Sequence, residues 1–271
     1  MDAVTRVGGG VLEDTCLRGS IIMSGPTQTL LSVPSAAPSA FSFEAGSTAL
    51  LMIDWQKDFL DVGGFGHSLG NDVAPLQAAL TPAAAVLSAA RAAKLPIIHT
   101  LEAHHPDMSD CPSSKKRRCP AIGTTLDSAR GRVLIAGEPG NAIVDAVAPI
   151  EGEMLVHKPG KGAFYGTKLH EELQQRGITH LIVTGVTTEV CVQTTVREAN
   201  DRGYDCLVVS DATESYFAHF KQATLEMSAR DLRVERDATQ MAPTTAAHSM
   251  RARCARASSR CARRHRWLDG R

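Results

Sequence analysis

His180-Leu181-Ile182-Val183-Thr184-Gly185-Val186-Thr187-Thr188-Glu189-Val190-Cys191-Val192 begins as an apolar run and ends as the opening of a helix. The run His180–Thr184 lacks the polar alternation of a half-solvated strand, so it reads as a strand covered on both faces. A tight turn follows at Gly185. A helix is then predicted over Glu189–Asp201, closed by Gly203, and Cys206–Ser210 supplies the next strand. Strand, helix and strand in so short a span make a βαβ unit, which requires parallel strands.

The same alternation extends outward. Strands are predicted at Ala49–Ile53, Pro96–Thr100 and Met154–His157. Thr81-Pro82 reads as an N-cap followed by proline in the first helical position, opening a helix that runs to about Ala93. Further helices are predicted over Thr167–Gln175, closed by Gly177, and over Glu214–Met227. The expected architecture is an α/β fold, a three-layer α-β-α sandwich around a mostly parallel, Rossmann-like sheet. Such sheets bind ligands at the carboxyl ends of their strands. Asp54, Lys158 and the Gly185–Cys191 segment all lie just past predicted strand ends. Three separate strands therefore deliver an acid, an ammonium group and a thiol to one edge.

Composition bounds what surrounds this core. A chain of 271 residues, 43% of them hydrophobic, fits one sizeable domain with extensions. That domain is predicted over residues 46–227. Residues 1–45 are rich in Gly, Ser, Pro and Ala, as in Val33-Pro34-Ser35-Ala36-Ala37-Pro38, and read as a flexible extension that buries little apolar surface. Residues 228–271 hold eleven Arg, no Lys and four acids, a balance of +7, so the other 227 residues carry −7. A mildly acidic body argues against a nucleic-acid partner. No apolar run approaches the ~18 residues that a membrane span needs. Glu13 and Asp14 stand where a secretory leader would be basic. The seven Cys show no CxxC spacing and no disulfide framework, so a reducing, cytoplasmic setting is expected.

Cys191 falls in the first turn of its predicted helix. Free N–H groups and the positive end of the dipole there favour a thiolate and suit a developing oxyanion. On position alone, a small buried helix residue is the commoner account of such a Cys. Taken singly, Asp54 reads as a turn-capping carboxylate and Lys158 as a solvated lysine.

Three motifs change that balance. Gly185-Val186-Thr187-Thr188-Glu189-Val190-Cys191-Val192 closely resembles the nucleophile signature of isochorismatase-like cysteine hydrolases. Met52-Ile53-Asp54-Trp55-Gln56-Lys57-Asp58-Phe59 resembles their first-strand motif, and Val156-His157-Lys158-Pro159-Gly160-Lys161-Gly162-Ala163-Phe164 their lysine motif. All three stand in the family's order within residues 46–227. Inside the family, Lys158–Phe164, Val196–Tyr204 and Thr100–Asp107 are most similar to the biuret hydrolase and ureidoacrylate amidohydrolase branch.

The resemblance implies Cys191 as nucleophile and Asp54 as proton-transfer base. It makes Lys158 the cation that lowers the thiol pKa and holds the carboxylate. It also implies oxyanion N–H donors between Thr187 and Cys191 and a cis peptide at Val186–Thr187. Substrate contacts fall to Lys161, Phe59 and Glu102, with His105 in the same bordering loop. Leu101 departs from the basic residue more common there. The implied activity is hydrolysis of a C–N bond in a small amide or ureide through a thioester-type intermediate, in a homodimer or homotetramer without a cofactor. The alternatives are isochorismatase-type cleavage of an enol ether, where the nucleophile position commonly lacks Cys, and a catalytically impaired binding or scaffold protein. Nicotinamidase relatives bind zinc through an Asp and several His, but Asp54 and Asp58 lack an Asp-x-His pattern, so no metal site is expected. Lys115-Lys116-Arg117-Arg118 reads as a solvated loop.

Family members end in an apolar strand and a loop that carries a Gln into the pocket, and nothing after Met227 resembles either. The last strand of this isochorismatase-like fold is therefore expected to be missing. One permitted codon choice for Asp231–Asp237 is GAT CTT CGG GTG GAG CGC GAC. Advanced by one base, it reads Ile-Phe-Gly-Trp-Ser-Ala, which looks like that strand and its turn. An Arg-rich, Lys-free segment is what an out-of-frame GC-rich gene produces. Residues 228–271 thus form an atypical Arg- and Ala-rich tail with two readings, a solvated basic segment or the product of a frame change near residues 228–230, and the second accounts for more. Sequencing the source DNA checks this: a single-base change there is expected to restore the strand in frame, and a gene in which none does overturns the reading.

Overall fold

The computed structural model describes residues 30–231, 233–235 and 237–238. Its strands are β1 (Leu30–Val33), β2 (Phe41–Glu44), β3 (Thr48–Ile53), β4 (Ile97–Glu102), β5 (Thr125–Asp127), β6 (Gly131–Arg132), β7 (Met154–Lys158), β8 (His180–Val186), β9 (Asp205–Glu214) and β10 (Arg233–Glu235). Its α-helices are α1 (Lys57–Leu60), α2 (Phe65–Ser68), α3 (Ala74–Ala78), α4 (Leu80–Ala92), α5 (Ser113–Arg118), α6 (Leu169–Gln175), α7 (Gln193–Asp201) and α8 (Ala218–Asp231). Six strands form one sheet in the order β10-β9-β8-β3-β4-β7, parallel throughout.

β3 shows why the sheet is sandwiched. Leu50 and Met52 pack with Val86 and Leu87 of α4, whereas Ala49, Leu51 and Ile53 pack with Leu173 of α6 and Val196 of α7. Alternate residues of a strand face opposite sides, so both faces are covered and the predicted helix–sheet–helix layers are present. The chain enters the sheet at β3, builds outward through β4 to β7, then returns to β8 on the other side of β3. That reversal leaves a crevice at the carboxyl ends of β3 and β8. Among the described residues, no helix is long and apolar enough to cross a membrane.

The structure corrects the sequence reading at the edges of the domain. Residues 30–44 form an antiparallel hairpin, β1 with β2, and Leu31, Val33, Phe41 and Phe43 are buried in the same core as α4. A few apolar residues at period two do this work, and the Pro and Ala around them masked the pattern. Residues 1–29 lie outside the described residues. The sixth strand, expected to be missing, is present as β10, with Val234 buried and paired to Val208. One apolar residue between Arg233 and Glu235 carries too little signal to be read as a strand. Ala37 bridges β10 from outside, exchanging both backbone hydrogen bonds with Val234 at 3.0 Å. The rest of the Arg-rich segment lies outside the described residues. Within the domain, α4 starts at Leu80 straight after α3, so Thr81 caps nothing. β9 runs on through Glu214, which delays the last helix to Ala218.

Phe41 is fully buried, with its ring centroid 5.5 Å from that of Phe43 and 5.6 Å from that of His180. Phe41→Ala is expected to cost about 3–5 kcal/mol, read as a lower urea midpoint. An unchanged midpoint would return residues 30–44 to the status of a loose extension.

Candidate active site

Asp54 is the first residue beyond β3 and has φ 53°. This is the left-handed region, which Asp tolerates better than most side chains. The bend ends the strand and is closed by the Gln56 N–H, which donates to the Asp54 carbonyl at 2.7 Å. One carboxylate oxygen accepts from Thr100 Oγ1 at 2.6 Å. The other lies 2.7 Å from Lys158 Nζ, and both side chains are fully buried. Lys158 ends β7, in register with Glu102 on β4. Its ammonium group also donates to the carbonyls of Gly160 at 3.1 Å and Lys161 at 2.9 Å. Burial alone would lower its pKa, but the charges around it, that of Asp54 foremost and that of Glu102 with it, outweigh burial and hold Lys158 above the usual lysine range.

Cys191 is placed by the end of β8. Gly185 has φ 141°, and a Cβ there would collide with the Ile53 backbone, so only glycine lets the two strands approach this closely at their ends. The Val186–Thr187 peptide is cis, as the resemblance implies. Thr188–Val192 then form a π-turn, and the α-helix proper starts only at Gln193. The predicted helix from Glu189 is corrected accordingly. The Val190 N–H donates to the Thr187 carbonyl at 3.2 Å, which removes it from the oxyanion donors expected between Thr187 and Cys191. Thr213 Oγ1 donates to the Gly185 carbonyl at 2.7 Å and shares a 2.9 Å hydrogen bond with Thr188 Oγ1. β9 thereby pins the turn.

These elements bring the predicted residues together. Cys191 Sγ and a carboxylate oxygen from each of Asp54 and Glu102 lie within 4.8 Å of one another. Sγ is 3.9 Å from Glu102 Oε2. Glu102, expected as a substrate contact, lines the cavity beside Cys191 and is also the hub of a charge cluster. Its fully buried carboxylate meets Lys161 Nζ at 2.9 and 3.0 Å and Lys115 Nζ at 2.7 Å. Burial raises the Glu102 pKa, but Lys158, Lys161 and Lys115 outweigh it and hold the carboxyl at about 2. Gln56 and Asn141 side chains donate to its carbonyl at 3.1 and 2.9 Å.

Lys115 is a site residue that the sequence reading missed. In the run taken as a solvated loop, Lys116, Arg117 and Arg118 are exposed, but α5 turns Lys115 inward. Its ammonium group donates to the Pro159 carbonyl at 2.7 Å and to His104 Nε2 at 2.8 Å. That leaves His104 Nδ1 to donate to Asp110 at 3.2 Å. Burial and the Lys115 charge lower the His104 pKa, so the ring is neutral. His105, expected at the site border, is exposed, and Leu101 is core.

A cavity of about 240 Å³ opens beside Cys191, with Phe59, Phe65, Ile122, Lys161, Glu189 and Tyr216 on its walls. Phe59, Glu102 and Lys161 stand on its wall, while Asp54 and Lys158 lie behind Cys191. The thiol corrects another expectation. Burial pushes the Cys191 pKa up, and although Lys158 pulls it back, Asp54 and Glu102 add to the rise, leaving it well above the usual thiol range. The thiol therefore rests protonated. The three clustered donor atoms are spaced as metal ligands are. Their carboxylates are already engaged by three lysine ammonium groups, which would repel an added cation.

An open parallel sheet with a buried acid, lysine and thiol at its switch point defines an α/β enzyme of the hydrolase type. Residues 48–240 match the isochorismatase domain model, and the chain belongs to the isochorismatase family. Over 183 residues it is 31% identical to ureidoacrylate amidohydrolase RutB of Methylorubrum extorquens, covering 66% of this chain and 74% of that protein. An isochorismatase family protein from Desulfovibrio vulgaris superposes with a TM-score of 0.60 at 28% identity, over 71% of this chain and 95% of its own. A cysteine hydrolase from Pseudomonas syringae shares the fold with a TM-score of 0.65 at 24% identity, over 81% and 97%.

Glu102 makes the acid stability of the protein predictable. Its pKa falls from an ordinary 4.5 to about 2 on folding. A depressed carboxyl pKa contributes stability above the unfolded value and loses it as pH falls through the folded one. Stability is therefore expected to drop between about pH 4.5 and about pH 2, by on the order of 3 kcal/mol from this group. Glu153, held by Arg91 and His99 against its burial, also sits at about 2 and contributes to the same acid limb. Glu102→Gln should flatten the limb without abolishing it. Denaturant unfolding across that pH range measures this, and an unaltered limb in the variant would refute the charge-cluster assignment.

Proposed function

We propose that the protein hydrolyses a C–N bond in a small amide or ureide through a thioester-type intermediate on Cys191. The observation that carries this reading is the meeting of Cys191 Sγ with the Asp54 and Glu102 carboxylates within 4.8 Å, at the wall of a small, largely apolar cavity. Similarity to an amidohydrolase supports the substrate class.

A protonated resting thiol needs a base, and two carboxylates are within reach. Glu102 faces three ammonium groups and holds at about 2, which makes it a feeble proton acceptor. Asp54 pairs with Lys158 alone among the lysines of the cluster. Asp54 is therefore the base: it takes the thiol proton as sulfur attacks the carbonyl carbon. Lys158, fixed by two carbonyls, then stands as an uncompensated cation beside the developing negative charge. On collapse, the C–N bond breaks and the nitrogen leaves with the proton from Asp54. Water next gives a proton to Asp54 and attacks the thioester. The C–S bond breaks, the acid product departs, and sulfur recovers its proton.

Ammonia release from a panel of ureides and carboxamides tests the scheme. Cys191→Ala is expected to abolish release, and Asp54→Asn to lower kcat by about 10²–10⁴-fold. Glu102→Gln should have a smaller effect, because the base remains. Full release by Cys191→Ala would end the cysteine mechanism.

A further inference from the structure

Glu189 lies on the pocket wall two residues before Cys191, and the mechanism above makes no use of it. Its Oε2 is shut off from solvent and has no hydrogen-bond partner among the described residues. The other carboxylates near the pocket are partnered: Asp54 accepts from Thr100 on Oδ1, while its Oδ2, without a hydrogen bond, is ion-paired with Lys158 at 2.7 Å; Glu102 is ion-paired with Lys115 and Lys161, and Asp58 accepts from the Leu134 N–H at 2.9 Å. Two side-chain donors beside this part of the pocket are already engaged. Tyr216, on the same wall, donates its hydroxyl to the Phe59 carbonyl at 2.8 Å, and Thr188 is tied to Thr213. An enclosed carboxylate oxygen without a donor is unfavourable until something supplies one.

The cavity also carries the opposite charge. Lys161 lines it with its side chain 45% exposed, and it shares the single charge of Glu102 with Lys115. The pocket therefore has surplus ammonium at Lys161 and an unanswered carboxylate oxygen, Oε2, at Glu189. A ligand that completes both presents an acceptor to one and N–H donors to the other.

We propose that Glu189 is a specificity-determining residue that accepts hydrogen bonds from substrate N–H groups, and that the substrates are uncharged ureides with an acceptor end and a donor end. This rests on the amide or ureide reading above and names its substrate class. An uncharged diamide such as biuret sets a carbonyl on Lys161 and a terminal NH₂ on Glu189. A ureido acid brings a carboxylate into a cavity where Glu189 repels it, and it leaves Oε2 with fewer donors. Like-charge exclusion and an unmet acceptor act in the same direction.

The test compares biuret with N-carbamoyl-β-alanine in the full chain. Wild type is expected to favour biuret in kcat/KM by at least about tenfold. Glu189→Gln keeps an acceptor oxygen but loses the charge, and Glu189→Ala loses both; each should shrink that ratio several-fold, mainly through KM. A wild type that prefers the ureido acid, or a ratio unmoved by both substitutions, overturns the proposal. Calorimetric titration of the Cys191→Ala protein separates binding from chemistry. It should bind biuret more tightly than the ureido acid, and the difference should narrow when Glu189→Gln is added. Equal binding of the two compounds, or binding of neither, overturns the role of Glu189 whatever the ammonia assay reads. Selective binding with no ammonia from wild type would leave Glu189 standing and remove the hydrolytic reading instead.

Discussion

The Lys158–Asp54 ion pair is sealed from water, and most of the site follows from the need to keep it favourable. Taking two such charges out of solvent costs several kcal/mol each, which close geometry and further hydrogen bonds must offset. The pair comes from β7 and β3, which are separated in the sheet by β4. Bringing them to 2.7 Å requires β3 to end in a left-handed bend at Asp54. It also requires the segment after β7 to curl so that the carbonyls of Gly160 and Lys161 face back onto the ammonium group. Lys161 is thereby carried to the pocket wall, so the geometry that satisfies one lysine positions the next.

β4, running between them, contributes the second carboxylate. Glu102 is one charge among three ammonium groups, and that imbalance gives the two acids different character. Glu102 stays ionised under almost any condition and acts as a fixed anion that anchors lysines. Asp54, with fewer cations on it, is the group free to exchange a proton in the proposed mechanism. Lys115 extends the cluster to His104 and Asp110, linking the buried centre through a neutral imidazole to the half-exposed loop after β4. Division of labour between neighbouring carboxylates through their cation count is the same physics that separates acid from base in other paired-acid sites.

The fold was legible because parallel strands buried on both faces are written as short apolar runs, and the strand ends placed Asp54, Lys158 and Cys191 together. What stayed illegible has local causes. A basic run looks alike whether or not one of its side chains turns inward, so Lys115 was lost among Lys116, Arg117 and Arg118. The residues of the π-turn, Thr188–Val192, would equally suit an α-helix, and only the spatial demand of reaching the cluster selects between them. The resting state of the thiol was misjudged because a helix start and a lysine were weighed without the two carboxylates and the burial that oppose them. Glu102 was recognised as a border residue, but its role as hub depends on lysines brought from two other loops.

The segments that looked least structured support the nucleophile at one remove. The Gly185 turn is held by Thr213 on β9. β9 would be an open edge, with unpaired backbone groups, if nothing paired beyond it. β10 covers that edge from Leu207 to Val209, Arg233 pairs with Asp205 at its start, and the Arg233 guanidinium lies 5.6 Å from the Phe41 ring. Ala37 then caps β10 on its outer side. The N-terminal hairpin and the short last strand therefore clasp each other over the edge of the strand that steadies Cys191. Restoring the reading frame at the break expected near residues 228–230 would rewrite this clasp while leaving every residue of the charge cluster encoded. Its first effect would fall on the rigidity of β9 and the turn it pins, with the chemistry of Asp54, Lys158 and Cys191 affected only through that turn.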